Sequence, residues 1–573
     1  MSARIKIMIA CYVACVLAVA AQGQFTIGGH PAVLDSLTQT YLCSVPESAF
    51  GHDFTSIINF DDTTSIVEVN GKGVAKSGDK VTFDSIAGNR LYPVKFASDS
   101  DTITRYITFT YLPIVELNGS YAKTYRKGDI VFIKPDGNAQ IMHARIRWRG
   151  ATTNTGDKHK RNYHIKFIDE AGEKMDRRLF EGMRSDNNWL LDAGQIDLAR
   201  IRNHVGMQLW QDFATKPYYA DLEPRVRTGV SSEMVELFLN GQYMGFYSMG
   251  EAIDRKQLRL RKYDEATLDV YGQLWKTTQW TSLVYMSQVT EDYPPFSDTW
   301  NGYEVKYPEL DDVAPTDWTV MHDAIDFVAN SSDDDFVRHV DEYFDLPVLR
   351  DFQVLIHTLL GVDNSGKNVY WACYDRTAST MLTITPWDLD ATVGQYWNNS
   401  SNPNPAVLPE REFTTSQRLF RRLNSLNPNG YKIAVIKRYH QLRQDILSED
   451  NLIARYVGCI EYLQRCGATA REEARWSGDT DIQGATLDFE HEKAYIADWI
   501  HRRLLYLDEN TFKYEPIIGD VNSDGTVNGI DLNLLINQVL GKGESIPEAD
   551  LNSDGTVNGI DVNLLINILL GLE

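Results

Sequence analysis

Between residues 27 and 115 polar and apolar residues alternate, as in Lys80-Val-Thr-Phe-Asp84 and Tyr106-Ile-Thr-Phe-Thr-Tyr111. A period of two puts one face of each segment in a core and leaves the other wet, so these segments read as short strands. Asn70-Gly-Lys-Gly73 and Ala87-Gly-Asn89 supply turns between them. Strands at this spacing predict a small β-sandwich over 27–115, immunoglobulin-like. Alternation continues in Ala144-Arg-Ile-Arg-Trp-Arg149, Tyr163-His-Ile-Lys-Phe167 and Met234-Val-Glu-Leu-Phe-Leu239. Over 198–213 Ile201, Val205 and Leu209 instead follow a four-residue repeat, which predicts a helix. Further helices are predicted over 348–360, 415–423, 432–447, 451–465 and 488–507. Strand-rich sequence followed by helix-rich sequence predicts an α+β body over 116–512 with two lobes. Asn398-Asn-Ser-Ser-Asn-Pro-Asn-Pro405 reads as an exposed loop, and a linker over 513–519 joins the body to the last segment.

That last segment, 518–573, contains one pattern twice. Asp520, Asn522, Asp524, Thr526, Asn528 and Asp531 recur as Asp550, Asn552, Asp554, Thr556, Asn558 and Asp561, with Gly525 and Gly555 at the sixth position. Oxygen donors at positions 1, 3, 5, 7, 9 and 12 and a turn-forming Gly are what a calcium loop needs, because Ca²⁺ takes six to eight hard oxygen ligands. The Thr residues would offer a backbone carbonyl, position 9 commonly acts through water, and the final Asp reaches less far than a Glu. Each loop precedes a leucine-rich helical segment that ends at Gly541 or Gly571. So small an all-α unit buries little core, so ion binding is expected to supply part of its folding free energy. The pairing of loops and helices resembles a type I dockerin module, which implies two Ca²⁺ and a cohesin-like partner. Gly529-Ile530 and Gly559-Ile560 depart from the Ser-Thr recognition pair common in clostridial dockerins.

At the other end a basic lead, Arg4 and Lys6, precedes an apolar run over 7–21 and an Ala18-Val-Ala20 processing site. This reads as a cleaved signal peptide over 1–23, too short to span a membrane, and hence as a secreted or cell-surface protein. Cys15 is a poor lipid anchor with Tyr12 three residues before it. Of the remaining cysteines, Cys459 and Cys466 sit seven apart in a predicted helix, about 10 Å of rise, too far for a disulfide. A formal charge of −23 repels nucleic acid and anionic lipid and suits calcium, and no membrane span is expected.

Candidate chemistry concentrates in Gly361-Val-Asp363-Asn-Ser-Gly-Lys367-Asn368, followed by Val369-Tyr-Trp-Ala-Cys-Tyr374, a polar turn, and Met381-Leu-Thr-Ile-Thr-Pro386-Trp387-Asp388-Leu389-Asp390. A hairpin between the two apolar segments would return Asp388 and Asp390 to Asp363 and Asn368. Carboxylates gathered in this way repel unless a divalent cation, Mg²⁺ or Mn²⁺, sits between them. An Asp, an Asn five residues on, a hairpin and a metal-binding Asp is also the order used by protein kinases, although the His-Arg before the first Asp and the Asp-Phe-Gly are absent. Arg149-Gly150 leads into Lys158-His-Lys160-Arg161-Asn-Tyr163-His-Ile-Lys166-Phe167, a cationic hairpin suited to covering phosphates. Arg202-Asn203 and Asn240-Gly241 through Glu251 follow, and Asn-Gly is a strong hairpin turn signal.

In this order the segments resemble the spore-coat-H (CotH) kinase family, whose fold is an atypical protein-kinase fold. The resemblance implies that Asp363 is the catalytic acid/base, that Asn368 with Asp388 or Asp390 binds Mg²⁺ or Mn²⁺, and that Arg149, Gly150, Lys160, Lys166, Arg202 and Glu251 serve ATP. Lys160 and Lys166 compete for the phosphate contact, and Arg161 replaces the second Lys of the family's Lys-Lys pair. Two readings follow. One is a secreted phosphotransferase acting on Ser or Thr of a protein phosphoacceptor. The other is a non-catalytic scaffold of an extracellular, polysaccharide-degrading or surface assembly. A glycosidase is weaker, since no aromatic repeat points to sugar.

Overall fold

The computed structural model describes residues 25–572 apart from 61–65, 98–101, 156, 291, 397–403, 407–415 and 543–545. The signal-peptide reading of 1–23, Cys15 within it, and most of the loop 398–405 lie outside the described residues.

Nine strands between Thr26 and Thr110 form one hydrogen-bonded array. Phe83, in the strand Lys80–Phe83 at one edge, meets Phe109 of the strand Thr102–Thr110 with ring centroids 5.2 Å apart. Those strands are five steps apart in the array, about 24 Å if it were flat. The array therefore folds over on itself around one core that includes Ile27, Val81, Val94 and Ile107.

The next strands close a barrel: Ile114–Asn118, Arg126–Ile133, Ala139–Arg149, Asn162–Ile168, Asn188–Asp192, Gln242–Glu251 and Ser232–Leu239, in spatial order. Alternation fills its inside with Met142, Ala144, Ile146, Tyr163, Ile165 and Phe167, while Lys166 stays exposed. Asn240 and Gly241 turn the final hairpin with φ of 50° and 71°, the left-handed pair that Asn-Gly supplies at little strain. The helix interrupting the strands is Arg202–Phe213, shorter than its sequence pattern. Its start is delayed by Asp197, whose carboxylate accepts from the Arg202 and Ala199 backbone N–H at 2.7 and 2.8 Å.

A second sheet of five strands carries Gln273–Thr277, Val369–Cys373 and Thr383–Pro386 at adjacent positions. The helix Leu346–Leu359 packs on its strand Thr383–Pro386 and against the helix Tyr431–Arg443, which meets Arg418–Leu426, while Glu449–Arg465 and Phe489–Tyr506 pack against each other. Three helices were not expected: Thr319–Asn330, Asp333–Tyr343 and Ala468–Trp476. Cys466 lies just past its helix, and all four described cysteines are free. No helix among the described residues is long and apolar enough to cross a membrane. The tail consists of two loops and the helices Gly529–Val539 and Gly559–Leu569, packed on Val521, Leu535, Ala549 and Leu565.

Candidate functional site

The strands Val369–Cys373 and Thr383–Pro386 run antiparallel with Val369 opposite Pro386, so the chain leaving Asn368 returns at Trp387. Trp387 N–H donates to the Asn368 carbonyl at 2.9 Å. Asn364 Nδ2 staples the junction, donating to the carbonyls of Trp387 at 2.6 Å and Asn368 at 3.3 Å. Asn368 and Asp388 flank it in the left-handed region, φ 56° and 60°, which short polar side chains tolerate. Asp363 sits in the turn Val362–Asn364, just after Leu360 closes the long helix at φ 53°. Its Oδ2 accepts from Asn368 Nδ2 at 2.7 Å and from Lys367 Nζ at 3.3 Å. Burial holds the Asp363 carboxyl above the ordinary range, aided by Asp388 and opposed by Lys367.

Asn203, from the helix Arg202–Phe213, ties this ribbon to the barrel. Its Oδ1 accepts from Leu389 N–H at 2.9 Å while its Nδ2 donates to Asp192 at the end of the strand Asn188–Asp192. Gly206 lets the ribbon approach, because a Cβ there would stand 3.0 Å from Leu389 Cδ1. Asp192, Asp388 and Asp390 therefore face one another with Asp363. Burial, then Asp388, Asp192, Asp363 and Asp197, push Asp390 well above the usual carboxylate range. Asp192 is raised by burial and by Asp388. Sequence patterning gave no sign of Asp192, which is a lone acid at a strand end.

The oxygens are not drawn into one tight shell. Among the described residues, ligand atoms of three His, Cys, Asp or Glu side chains lie within 4.8 Å of one another at His159, Asp479 and Asp481. That trio is a joint: Asp481 Oδ2 accepts the His159 and Lys160 N–H at 2.7 and 2.9 Å, and Lys158 Nζ lies 3.7 Å from Oδ1. The acids around Asp390 nevertheless fit a hard divalent cation. Their donors are all oxygen, and neither Asp388 nor Asp390 has a hydrogen bond or ion pair through its side chain among the described residues.

The cations expected to serve phosphate divide into two groups. Lys160 is 1% exposed, its ammonium 2.6 Å from Glu472 Oε1 and 3.0 Å from the Phe246 carbonyl. Lys166 is exposed on the barrel with its ammonium 5.1 Å from the Tyr125 ring centre. Arg202 is buried between Asp197 and Glu492. The Glu251 carboxylate accepts from Arg184 N–H and Arg227 Nη1, each at 2.9 Å, and from Ser231 N–H at 3.1 Å. Lys160, Arg202 and Glu251 brace the fold, and Lys166 lies on the barrel's outer surface. Arg149 is different: its guanidinium lies 5.4 Å from the Trp387 ring centre, directly beside Asp388 in sequence. Gly150 makes the turn after it at φ 92°, where a Cβ would meet Thr153 Oγ1 at 2.4 Å. Lys276, which sequence patterning missed, reaches the same ring from the neighbouring sheet at 5.8 Å. Burial lowers its pKa to about 8, with Asp388 opposing the shift and Arg149 reinforcing it.

In the tail both loops are formed alike. Asp520 Oδ2 accepts from Gly525 N–H, and Asp550 Oδ2 from Gly555 N–H, each at 2.8 Å. Gly525 and Gly555 have φ of 89° and 87°, the sharp turn that position six requires. Asn522 and Asn552 accept from the N–H of Asp524 and Asp554 at 3.0 Å, and Thr526 and Thr556 close on those Asp carboxylates. Asn528 and Asn558 cap the helices, and Asp531 and Asp561, fully buried, complete a capping box at each. The Asp, Asn and Thr oxygens that each loop carries at these positions are a donor set of the hard kind calcium takes.

The CotH kinase protein family model matches residues 146–507, and the type I dockerin domain model matches residues 518–570. No curated protein matches the chain. A dockerin domain implies calcium binding and a cohesin partner, and such domains occur in extracellular and cell-surface proteins. Since the first match spans well over half of the sequence and contains the whole acid-bearing ribbon, the chain belongs to the CotH kinase protein family and ends in a type I dockerin domain.

Proposed function

We propose that this is a secreted kinase-like enzyme that transfers the γ-phosphoryl group of ATP to Ser or Thr hydroxyls of surface or exported proteins, held to a cohesin-bearing partner by its calcium-loaded tail. The observation that carries the reading is the ribbon that sets Asp363 and Asn368 against Asp388, with Asp390 and Asp192 facing them. Asp363 would take the hydroxyl proton on a carboxylate oxygen as that hydroxyl's oxygen bonds to phosphorus and the bond to the β-phosphate oxygen breaks. Its raised pKa suits a base that must later release the proton. Asn368, Asp388 and Asp390 would hold Mg²⁺ or Mn²⁺, and Lys367 would keep Asp363 oriented. A bound ion would neutralise charge on the phosphates. In this reading the barrel and the helical part act as two lobes around the cleft, 27–115 is a spacer or binding module, and 1–23 directs export.

Calorimetric titration of ATP into the full chain tests this, with and without Mg²⁺. Saturable binding that requires the ion is expected. Absence of binding to correctly folded protein overturns the enzyme reading and leaves the scaffold, in which the tail merely docks a kinase-shaped body onto an assembly.

A further inference from the structure

The two calcium loops carry the same donors in the same order, Asp, Asn, Asp, Thr, Asn and Asp. Ligand charge and site rigidity set how tightly such a loop holds its ion, and the charges here are equal. Any difference in affinity then comes from what surrounds each loop. The surroundings differ. In the first loop Asp520 and Ser523 are buried, and Asn522, Asp524 and Gly525 are half-buried. Their counterparts Asn552, Ser553, Asp554 and Gly555 are all exposed, and Asp550 is half-buried. A Cβ added to Gly555 would meet nothing within 4 Å, whereas one on Gly525 would stand 2.9 Å from Ile433 Cγ1.

What covers the first loop is the corner between the helices Arg418–Leu426 and Tyr431–Arg443. Asn427, Asn429 and Gly430 all take left-handed backbone there, φ 50°, 51° and 70°, so the chain turns sharply within four residues. Asn427 Oδ1 accepts from Lys432 N–H at 2.8 Å, which fixes the amide, and its Nδ2 donates to the Asp524 carbonyl at 2.7 Å. Gly430 leaves room for the loop, since a Cβ there would stand 3.0 Å from Cα and Cβ of Asp524. The contacts of Asn427, Gly430 and Ile433 all fall on loop positions five and six. That is the turn in which the N–H groups of Asp524 and Gly525 donate to the Asp520 carboxylate, at 2.9 and 2.8 Å.

Resting on the calcium binding that the dockerin match implies, and independently of the phosphotransfer reading, we infer that this corner is a docking surface for the first calcium loop and makes it the tighter of the two sites. Asn427, Gly430 and Ile433 hold the turn in its ion-binding shape beforehand, so less ordering is left for the ion to impose. The second loop orders itself without such help and fills at higher calcium concentration. Linkage makes the effect mutual: calcium in the first loop strengthens docking of the tail by the same factor. Stripping calcium therefore releases the tail from the body, while partial filling leaves it docked with the second loop open.

The test is calorimetric titration of Ca²⁺ into the calcium-stripped full chain, with hydrogen exchange at each stage to assign the loops. Two binding steps are expected, the tighter with a Kd roughly 10-fold or more below the other and protecting residues 520–531 first. Asn427→Gly keeps the left-handed turn and removes the amide. It should weaken the tighter step by about 10-fold, the order of one hydrogen bond, and leave the weaker step unchanged. Ile433→Ala should act in the same direction, and calcium-free melting temperatures report whether each variant folds. A single class of equal sites in the wild type, first filling of residues 550–561, or two steps that both folded variants leave in place overturns the docking surface. Wild-type protein that binds no Ca²⁺ overturns the calcium reading along with it.

Discussion

Asp390 is held against four other carboxylates and far above its ordinary pKa, so in the metal-free protein it is a source of instability. Removing its charge should relieve that repulsion. Asp390→Asn is therefore expected to raise the melting temperature of metal-free protein at neutral pH by about 2 °C or more, while weakening Mn²⁺ binding. A lowered melting temperature in differential scanning calorimetry would contradict the electrostatic account. His204 offers a second residue-scale test. Its ring is buried, Nδ1 2.8 Å from Ser232 Oγ, and burial depresses its pKa from 6.5 to about 4. The unfolded chain then binds the extra proton first, so stability is full above pH 6.5 and falls as pH drops toward 4. The loss reaches about 3 kcal/mol. His204→Gln should flatten that part of the stability-versus-pH curve measured by urea denaturation. Legibility differed sharply among residues. Asp363, Asn368 and Asp388 were readable because one local hairpin brings them together. Asp192 and Lys276 were not, because each is a single polar residue whose meaning comes from a contact between distant segments.

The hairpin itself was legible in outline, since two apolar segments flanked by polar turns have few other ways to pair. Helix boundaries were less so. Asp197 shortened the helix Arg202–Phe213, and the unexpected Asp333–Tyr343 begins with three acids that mask its apolar side. The tail elements were the most readable, because ligand spacing and helix caps coincide in the same residues. Asp531 Oδ2 accepts from Asn528 N–H at 2.8 Å, and Asp561 does the same for Asn558. Each acid thus serves both the cap and the calcium donor set. Chelation with EDTA should accordingly abolish amide protection in the helices Gly529–Val539 and Gly559–Leu569 while the barrel stays protected, as read by hydrogen exchange. Unchanged protection in the tail would show that its four-residue core suffices without the ion.

At the scale of the whole molecule the two calcium loops are not equivalent. Asn427 Nδ2 donates to the Asp524 carbonyl at 2.7 Å, and Ile433 lies against Gly525. Ser523 is consequently buried where its counterpart Ser553 is exposed. The body thus covers one face of the first loop and leaves the second open. Asn427→Ala should loosen the tail and speed proteolysis within the linker 513–519. An unaltered cleavage rate would mean that the contact contributes little. This placement had no sequence signal, because the two loops are nearly identical in sequence and only the tertiary fold distinguishes them. In the phosphotransfer reading the ribbon's acids share one divalent cation. Electron paramagnetic resonance of Mn²⁺, with Ca²⁺ present to fill the tail loops, measures it directly in wild type and in the double variant Asp388→Asn/Asp390→Asn. One Mn²⁺ bound in the presence of ATP by wild type and lost in the variant is the predicted result. Equal Mn²⁺ binding by both proteins would contradict it.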